Sequence, residues 1–249
     1  MLQVKNVNKS YRSGGVMSRK KKQILYDVSF EMPDGECLGI IGESGTGKST
    51  LGRLILGLEK PDSGEILYDG GDVRKRSVRR GVMSAVFQDY SSSMNPYRTV
   101  EKTLEEPLKL AGQLSPAQMR SRSVALLEQV GLDGGYMKKF PHEMSGGEAQ
   151  RVCIARAIAT DPKFILLDEA ISSLDASVAY QILVLLEKLR SDTGAGFLFI
   201  THDIHAVKYL CDRACFFNGG RLLETIETAR IDEAQNEYSK KLLSSVFSI

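Results

Sequence analysis

Cys37-Leu38-Gly39-Ile40-Ile41 runs directly into Gly42-Glu43-Ser44-Gly45-Thr46-Gly47-Lys48-Ser49, and behind it Leu51, Leu54, Ile55 and Leu58 recur at helical spacing. An apolar run, a glycine loop and an amphipathic face in that order read as strand, loop and helix. The loop fits the pattern GxxxxGK[ST]. Its glycines let the backbone wrap an anion closely, so that successive N–H groups and the positive end of the next helix point at phosphate. In that arrangement Lys48 bridges the β- and γ-phosphates and the Ser49 hydroxyl holds Mg²⁺. The candidate nucleotide-binding residues are therefore Gly42, Glu43, Ser44, Gly45, Thr46, Gly47, Lys48, Ser49 and Thr50. A plain glycine turn is the structural alternative.

Phe164-Ile165-Leu166-Leu167-Asp168-Glu169 supplies a second half. An apolar strand ending in two carboxylates places Asp168 near a metal at the carboxyl edge of the sheet, where open α/β folds bind ligands. Glu169 becomes the candidate general base for an attacking water, the alternative being a purely electrostatic carboxylate in the metal's surroundings. These two motifs fit any P-loop nucleoside triphosphatase. Met144-Ser145-Gly146-Gly147-Glu148-Ala149-Gln150-Arg151 separates the classes, because a serine and two glycines heading a helix make a second anion-binding surface that one phosphate loop does not need.

With these three motifs the chain resembles the ATP-binding subunits of ABC transporters over nearly its whole length. MSGGE resembles that family's LSGGQ signature, with Met144 for Leu and Glu148 for Gln. The resemblance implies two cassettes paired head to tail, the signature residues Ser145, Gly146, Gly147 and Glu148 of one closing over the ATP on the phosphate loop of the other. It implies ATP and Mg²⁺ as cofactors, with Ser49, Gln88 and Asp168 toward the metal and Glu169 and His202 in catalysis. Tyr11 matches the aromatic that stacks on adenine, although a core or edge tyrosine reads equally well from sequence. Gln88, after Val86-Phe87, resembles the Q-loop glutamine, Asp175 lies in a D-loop-like Ser172-Ser173-Leu174-Asp175, and His202 after Ile200-Thr201 resembles the switch histidine. Two departures stand out: Ala170-Ile171 replaces the usual Pro-Thr, and Glu148 adds a negative charge that weakens or reshapes contact with the partner's ATP unless Arg151 or another cation offsets it.

Working outward, the 249 residues are 42% hydrophobic and 26% charged, an ordinary globular balance with too many charges for an integral membrane protein. The net charge of +2 and the lack of a basic stripe with interleaved aromatics argue against nucleic acid as a partner. The four cysteines, Cys37, Cys153, Cys211 and Cys215, lack CxxC spacing and read as buried reduced thiols. The N-terminal MLQVKNVNKSY has no apolar block, which predicts a cytoplasmic, peripheral location with membrane contact only through partners. Strands are expected at Leu2 to Tyr11, Ile24 to Met32, Glu65 to Tyr68, Val82 to Phe87, Phe164 to Leu167, Phe197 to Thr201 and Cys215 to Asn218. The first helix is expected from Lys48 to Leu58, and Arg12 to Gln23, with Arg19-Lys20-Lys21-Lys22, as a solvated hairpin loop. Pro107 is expected to interrupt one helix and Ser115-Pro116 to open another. The expected architecture is α/β: a P-loop core with a mostly parallel sheet, an N-terminal antiparallel β sub-domain, and a helical sub-domain of about residues 91–150 inserted in the RecA-like core.

Val86-Phe87-Gln88-Asp89-Tyr90-Ser91-Ser92-Ser93-Met94-Asn95-Pro96 resembles the Q-loop region of importers for oligopeptides, dipeptides and nickel, and Gly52 to Pro61 that of the second ATPase subunit of such systems. The short C-terminus resembles subunits of nickel and metallophore importers, including opine-metallophore systems. The resemblance implies a heterodimer with a sister ATPase, two transmembrane permease subunits docked on residues 88–97, and an extracytoplasmic solute-binding protein reached indirectly. The competing class is a soluble ABC ATPase of repair, translation or iron–sulfur assembly.

Overall fold

The structure, a computed structural model, describes residues 1–12, 21–89, 93–112 and 114–246. Two units emerge, one of residues 1–79 and 197–249 and one of residues 80–196. In the first, β1 (Leu2–Arg12) pairs antiparallel with β2 (Lys21–Met32) and β4 (Ser63–Tyr68), and β4 with the short β5 (Gly71–Asp72). Leu2, Val4 and Val7 are buried, and the step from a spacing of two to three falls where Asn6 adopts φ 49° and the register to β2 shifts. That bulge keeps the apolar side chains on one face. Asp27, opposite at φ 50°, accepts from the Asn6 amide at 2.8 Å.

β3 (Cys37–Ile41) lies between β8 (Gly196–Thr201) and β9 (Arg213–Asn218), parallel to both, and β10 (Arg221–Glu227) runs antiparallel to β9. Every residue of β3 and β8 is buried, as in parallel strands covered on both faces. Phe197, Phe199, Phe216 and Phe217 are fully buried in this unit. Helix α1 (Lys48–Ile55) ends short of the expected Leu58. Gly57, at φ 58°, turns the chain left-handed, and the Leu58 N–H returns 2.9 Å to the Arg53 carbonyl, closing the helix C-terminus. The remaining helices of this unit are α2 (Arg76–Arg79), α7 (Ile204–Leu210) and α8 (Glu237–Val246).

In the second unit, β6 (Met83–Phe87) pairs parallel with β7 (Phe164–Asp168), and α3 (Val100–Ala111), α4 (Pro116–Gln129), α5 (Gly146–Ile158) and α6 (Ala176–Thr193) bury Leu104, Leu126, Val152 and Ile182. Ser115 caps α4 with a full capping box and Pro116 stands in its first turn, as the sequence predicts. Pro107 does not interrupt α3: the helix continues through it because burial of Leu104 and Leu108 on either side outweighs the lost hydrogen bond. A second correction concerns the first hairpin. Lys21 and Lys22 pair with Arg12 and Tyr11 as strand residues, and only residues 13–20 of the expected loop, with Arg19 and Lys20, lie outside the described part. The class is α/β, with an antiparallel N-terminal sheet and a second, mostly parallel one. All four cysteines are buried, and none forms a disulfide among the described residues. Among the described residues no helix is long and apolar enough to cross a membrane.

Candidate functional site

The phosphate loop leaves β3 at Gly42, where a Cβ would stand 2.1 Å from the backbone oxygen of Phe217, so only glycine fits without moving β9. Gly45 and Gly47 follow at φ 79° and 108°, conformations that a side chain would strain. Gly47 is the N-cap of α1 and contributes no side-chain cap. A glycine at this position places no side chain of its own over the helix N-terminus, an arrangement that suits an external anion. Lys48 is buried, its ammonium donating to the Gly42 and Glu43 carbonyls at 2.6 and 2.9 Å. The loop is further braced by the Thr46 hydroxyl on the Glu43 carbonyl (2.9 Å), by the Gly220 N–H on the Thr46 carbonyl (3.1 Å) and by the Glu43 N–H on the Tyr238 hydroxyl (3.2 Å). Ser44 is exposed, Ser49 half-buried, and Thr50 buried with its hydroxyl accepting from Arg53 at 3.1 Å.

Tyr11 is a half-buried strand-end tyrosine whose hydroxyl donates to Glu59 at 2.6 Å. Arg53 and Lys9 reach the same carboxylate at 2.8 and 3.2 Å. Burial pushes Glu59 up, but the hydrogen bonds from Tyr11, Arg53 and Lys9 together hold it below its ordinary value. His202 is exposed directly beyond β8, between Thr201 and Asp203, whose carboxylate caps α7 by accepting from the Ala206 N–H at 3.1 Å.

In the second unit the register Phe87↔Asp168 brings Gln88 and the pair Asp168-Glu169 to the same end of adjacent strands. Asp168 and Glu169 are buried, and Gln88 is exposed. Glu169 adopts φ 52°, a left-handed conformation uncommon for a residue with a side chain. Its carbonyl accepts from the Ser172 N–H at 3.2 Å and hydroxyl at 2.9 Å. The Asp168 carboxylate and the Gln88 amide of this unit, like the Ser49 hydroxyl of the first unit, are each hard oxygen donors of the type that suits Mg²⁺ better than a softer metal. Asp175 is exposed and caps α6 through the Val178 N–H at 3.0 Å.

Ser145 is exposed at the N-cap of α5, accepting from the Glu148 N–H at 3.3 Å, while the Glu148 carboxylate accepts from the Ser145 N–H at 2.7 Å. Gly147 meets Val178, so a Cβ there would come 2.5 Å from a methyl group. Tyr136 donates its hydroxyl to the other oxygen of Glu148, and the Lys139 ammonium lies 3.8 Å over the Tyr136 ring. The Tyr136 hydroxyl, then the Ser145 N–H, hold Glu148 below the usual carboxylate value, with the Lys139 charge adding to them. Of the two alternatives, Arg151 or another cation, the second holds: Arg151 donates to the Val130 carbonyl at 2.7 Å and to Gln181 at 3.3 Å. Lys139 is the cation that acts on Glu148.

Within the expected docking segment, residues 90–92 lie outside the described part. Ser93 is held by Arg156 on its carbonyl, Met94 is buried, and Tyr97 is 89% exposed. Sequence reading missed Tyr136, Glu59, Tyr238 and Gln150. Gln150 stands inside the Met144–Arg151 stretch, but no sequence pattern gives it or the other three a role.

A family model described as "ABC transporter" matches residues 25–172. The chain is 47% identical over 248 residues, 100% of both chains, to the metal-staphylopine import system ATP-binding protein CntF of Staphylococcus aureus. It is 40% identical over 231 residues to the nickel import ATP-binding protein NikE of Pseudomonas putida, covering 90% of this chain and 84% of that one. With the oligopeptide transport ATP-binding protein OppF of Lactococcus lactis it shares 39% over 228 residues, 89% of this chain and 72% of that one. Among solved structures, the dimeric ATP-binding cassette MJ0796 in a post-hydrolysis state bound to ADP and Pi superposes with TM-score 0.82 at 30% identity, covering 92% of this chain and 99% of that one. CbiO1 of Clostridium perfringens, part of the transporter complex cbiONQ, gives TM-score 0.79 at 26% identity, covering 98% and 93%.

Proposed function

This chain belongs to the ABC transporter family, and from that premise we propose that it is the ATP-hydrolysing subunit of an importer of metal–metallophore complexes. The observation that carries the cargo is the 47% identity to the metal-staphylopine subunit, against 40% and 39% for the nickel and oligopeptide subunits. The CntF, NikE and OppF relatives named above are import or transport subunits, which disfavours a soluble role in repair, translation or iron–sulfur assembly.

In this reading the chain pairs with a sister ATPase, docks on two permeases at the cytoplasmic face of the membrane, and never touches the cargo that a solute-binding protein delivers. The helical stretch of about residues 91–150 serves as the arm that meets the permeases. The loop N–H groups, the α1 N-terminus and Lys48 hold the β- and γ-phosphates and offset the charge on the transferring phosphoryl group. Tyr11 stacks on the adenine. Glu169 takes the proton of the attacking water, and His202 orients it toward the γ-phosphorus. When bound, Mg²⁺, held by Ser49, Asp168 and Gln88, neutralises phosphate charge. Ser145, Gly146 and Gly147 close on the sister's ATP with Asp175 along the seam, and closure turns the permeases to their opposite-facing state.

Uptake by a strain lacking this subunit, supplied with free nickel, a nickel–metallophore chelate or peptide, tests the cargo. Loss of chelate uptake with peptide uptake intact is expected. Intact chelate uptake with peptide uptake lost contradicts it.

A further inference from the structure

The turn that carries Glu169 is held from two sides. Locally, the Glu169 carbonyl accepts from both groups of Ser172. From the signature helix, Gln150 reaches across and donates its side-chain Nε2 to the Ala170 carbonyl at 2.6 Å. Consecutive carbonyls are thereby fixed around a residue whose φ of 52° needs its surroundings to hold it. Gln150 is 1% exposed, and its Oε1 has no hydrogen-bond partner among the described residues. A buried amide with one end unmatched is less stable than an apolar side chain of the same length in the same place. Among Val152, Cys153, Ile154 and Ala155, all buried on the same helix, an apolar residue fits the packing better. Aiming the turn is what the amide contributes.

We infer that Gln150 is a positioning residue for the hydrolytic carboxylate, its amide tying the peptide after Glu169 to the helix headed by Ser145. The inference rests on Glu169 acting as the general base. It follows that one hydrogen bond links the surface this chain offers to the sister's nucleotide with the base it turns on its own. Any rotation of α5 as Ser145, Gly146 and Gly147 engage a triphosphate reaches the Glu169 turn through the Ala170 carbonyl. Without that bond the turn loses the tie to the signature helix, which favours relaxation of Glu169 toward a right-handed backbone that re-aims its carboxylate.

The test compares Gln150→Met, which keeps length and burial but cannot donate, with Gln150→Leu and Glu169→Gln in the assembled transporter. Steady-state phosphate release, KM, equilibrium ATP affinity and thermal midpoint are measured for each. Both Gln150 variants should lose kcat about tenfold, with KM and ATP affinity unchanged within about twofold and a thermal midpoint that does not fall. A purely structural role would move the midpoint and the affinity along with kcat. Wild-type kcat in Gln150→Met and Gln150→Leu, beside an inactive Glu169→Gln, overturns the inference alone. A Glu169→Gln variant that still hydrolyses ATP removes the base, and the inference with it.

Discussion

Helices α1 and α5 both begin with glycine-rich sequence, yet their N-termini are finished in opposite ways. α1 starts at a left-handed Gly47 with no side-chain cap, after a loop wrapped around its own Lys48 ammonium. α5 starts at Ser145 inside a closed capping box, with the Glu148 carboxylate filling the position an acceptor would take and Tyr136 and Lys139 steadying it. The first has no side-chain cap of its own, and the second carries a complete one. In the proposed function the first N-terminus receives the chain's own triphosphate and the second meets one held by the sister subunit. The Glu148 charge is engaged by donors and a neighbouring cation instead of standing free in front of phosphate, so the signature is expected to tolerate it.

The comparison breaks most visibly at Ser145. Ser145→Arg should abolish the ATP-dependent closed pair and lower hydrolysis by about 100-fold or more, while the affinity of the single chain for ATP stays within about twofold. Sedimentation with and without ATP checks the first part and equilibrium titration the second; equal loss of ATP affinity would mean that the two N-termini do not serve different nucleotides.

Packing sharpens the contrast. Gly42→Ala drives a Cβ to 2.1 Å from a backbone oxygen, while Gly147→Ala meets a Val178 methyl at 2.5 Å. A side chain can yield where a strand cannot. Chemical denaturation should show a loss of about 3 kcal/mol or more for Gly42→Ala and about 1–2 kcal/mol for Gly147→Ala, and the reverse order would contradict the picture of a loop built against β9.

The smallest effects concern Glu148. Glu148→Gln preserves the capping geometry and should change hydrolysis by less than about threefold, since Gln serves a capping box as well. Because Glu148 is held below its unfolded value, its stabilising contribution is present above about pH 4.3 and lost as pH falls through the lowered folded value. Tyr136→Phe removes the largest cause, so the midpoint difference between wild type and this variant should shrink as pH drops from about 5 to about 3. A difference independent of pH would show that Tyr136 does not act through this carboxylate.

The sequence announces whatever a short local pattern determines. β3, β7 and β8 stand out because strands buried on both faces are apolar throughout, and the phosphate loop because each glycine serves the backbone. β10, Arg221–Glu227, went unread because its residues are exposed or half-buried along an antiparallel edge, without the apolar run of a central strand. Pro107 misled because a local breaker was overridden by burial on both sides of it. At the site, the sequence leaves the cation beside Glu148 open between Arg151 and another residue, because Tyr136 and Lys139 are brought to it from twelve and nine residues earlier by the tertiary fold. Gln150 and Ala170 likewise meet only through the tertiary fold.

The central claim is that one chain carries only half of each of two ATP sites. Measuring ATP turnover per chain over a wide dilution series, with the sister subunit present in equal amount, tests it most directly. Turnover per chain should fall toward zero as the pair dissociates and rise to a plateau as it forms. A constant rate down to concentrations at which both subunits sediment as monomers would contradict it.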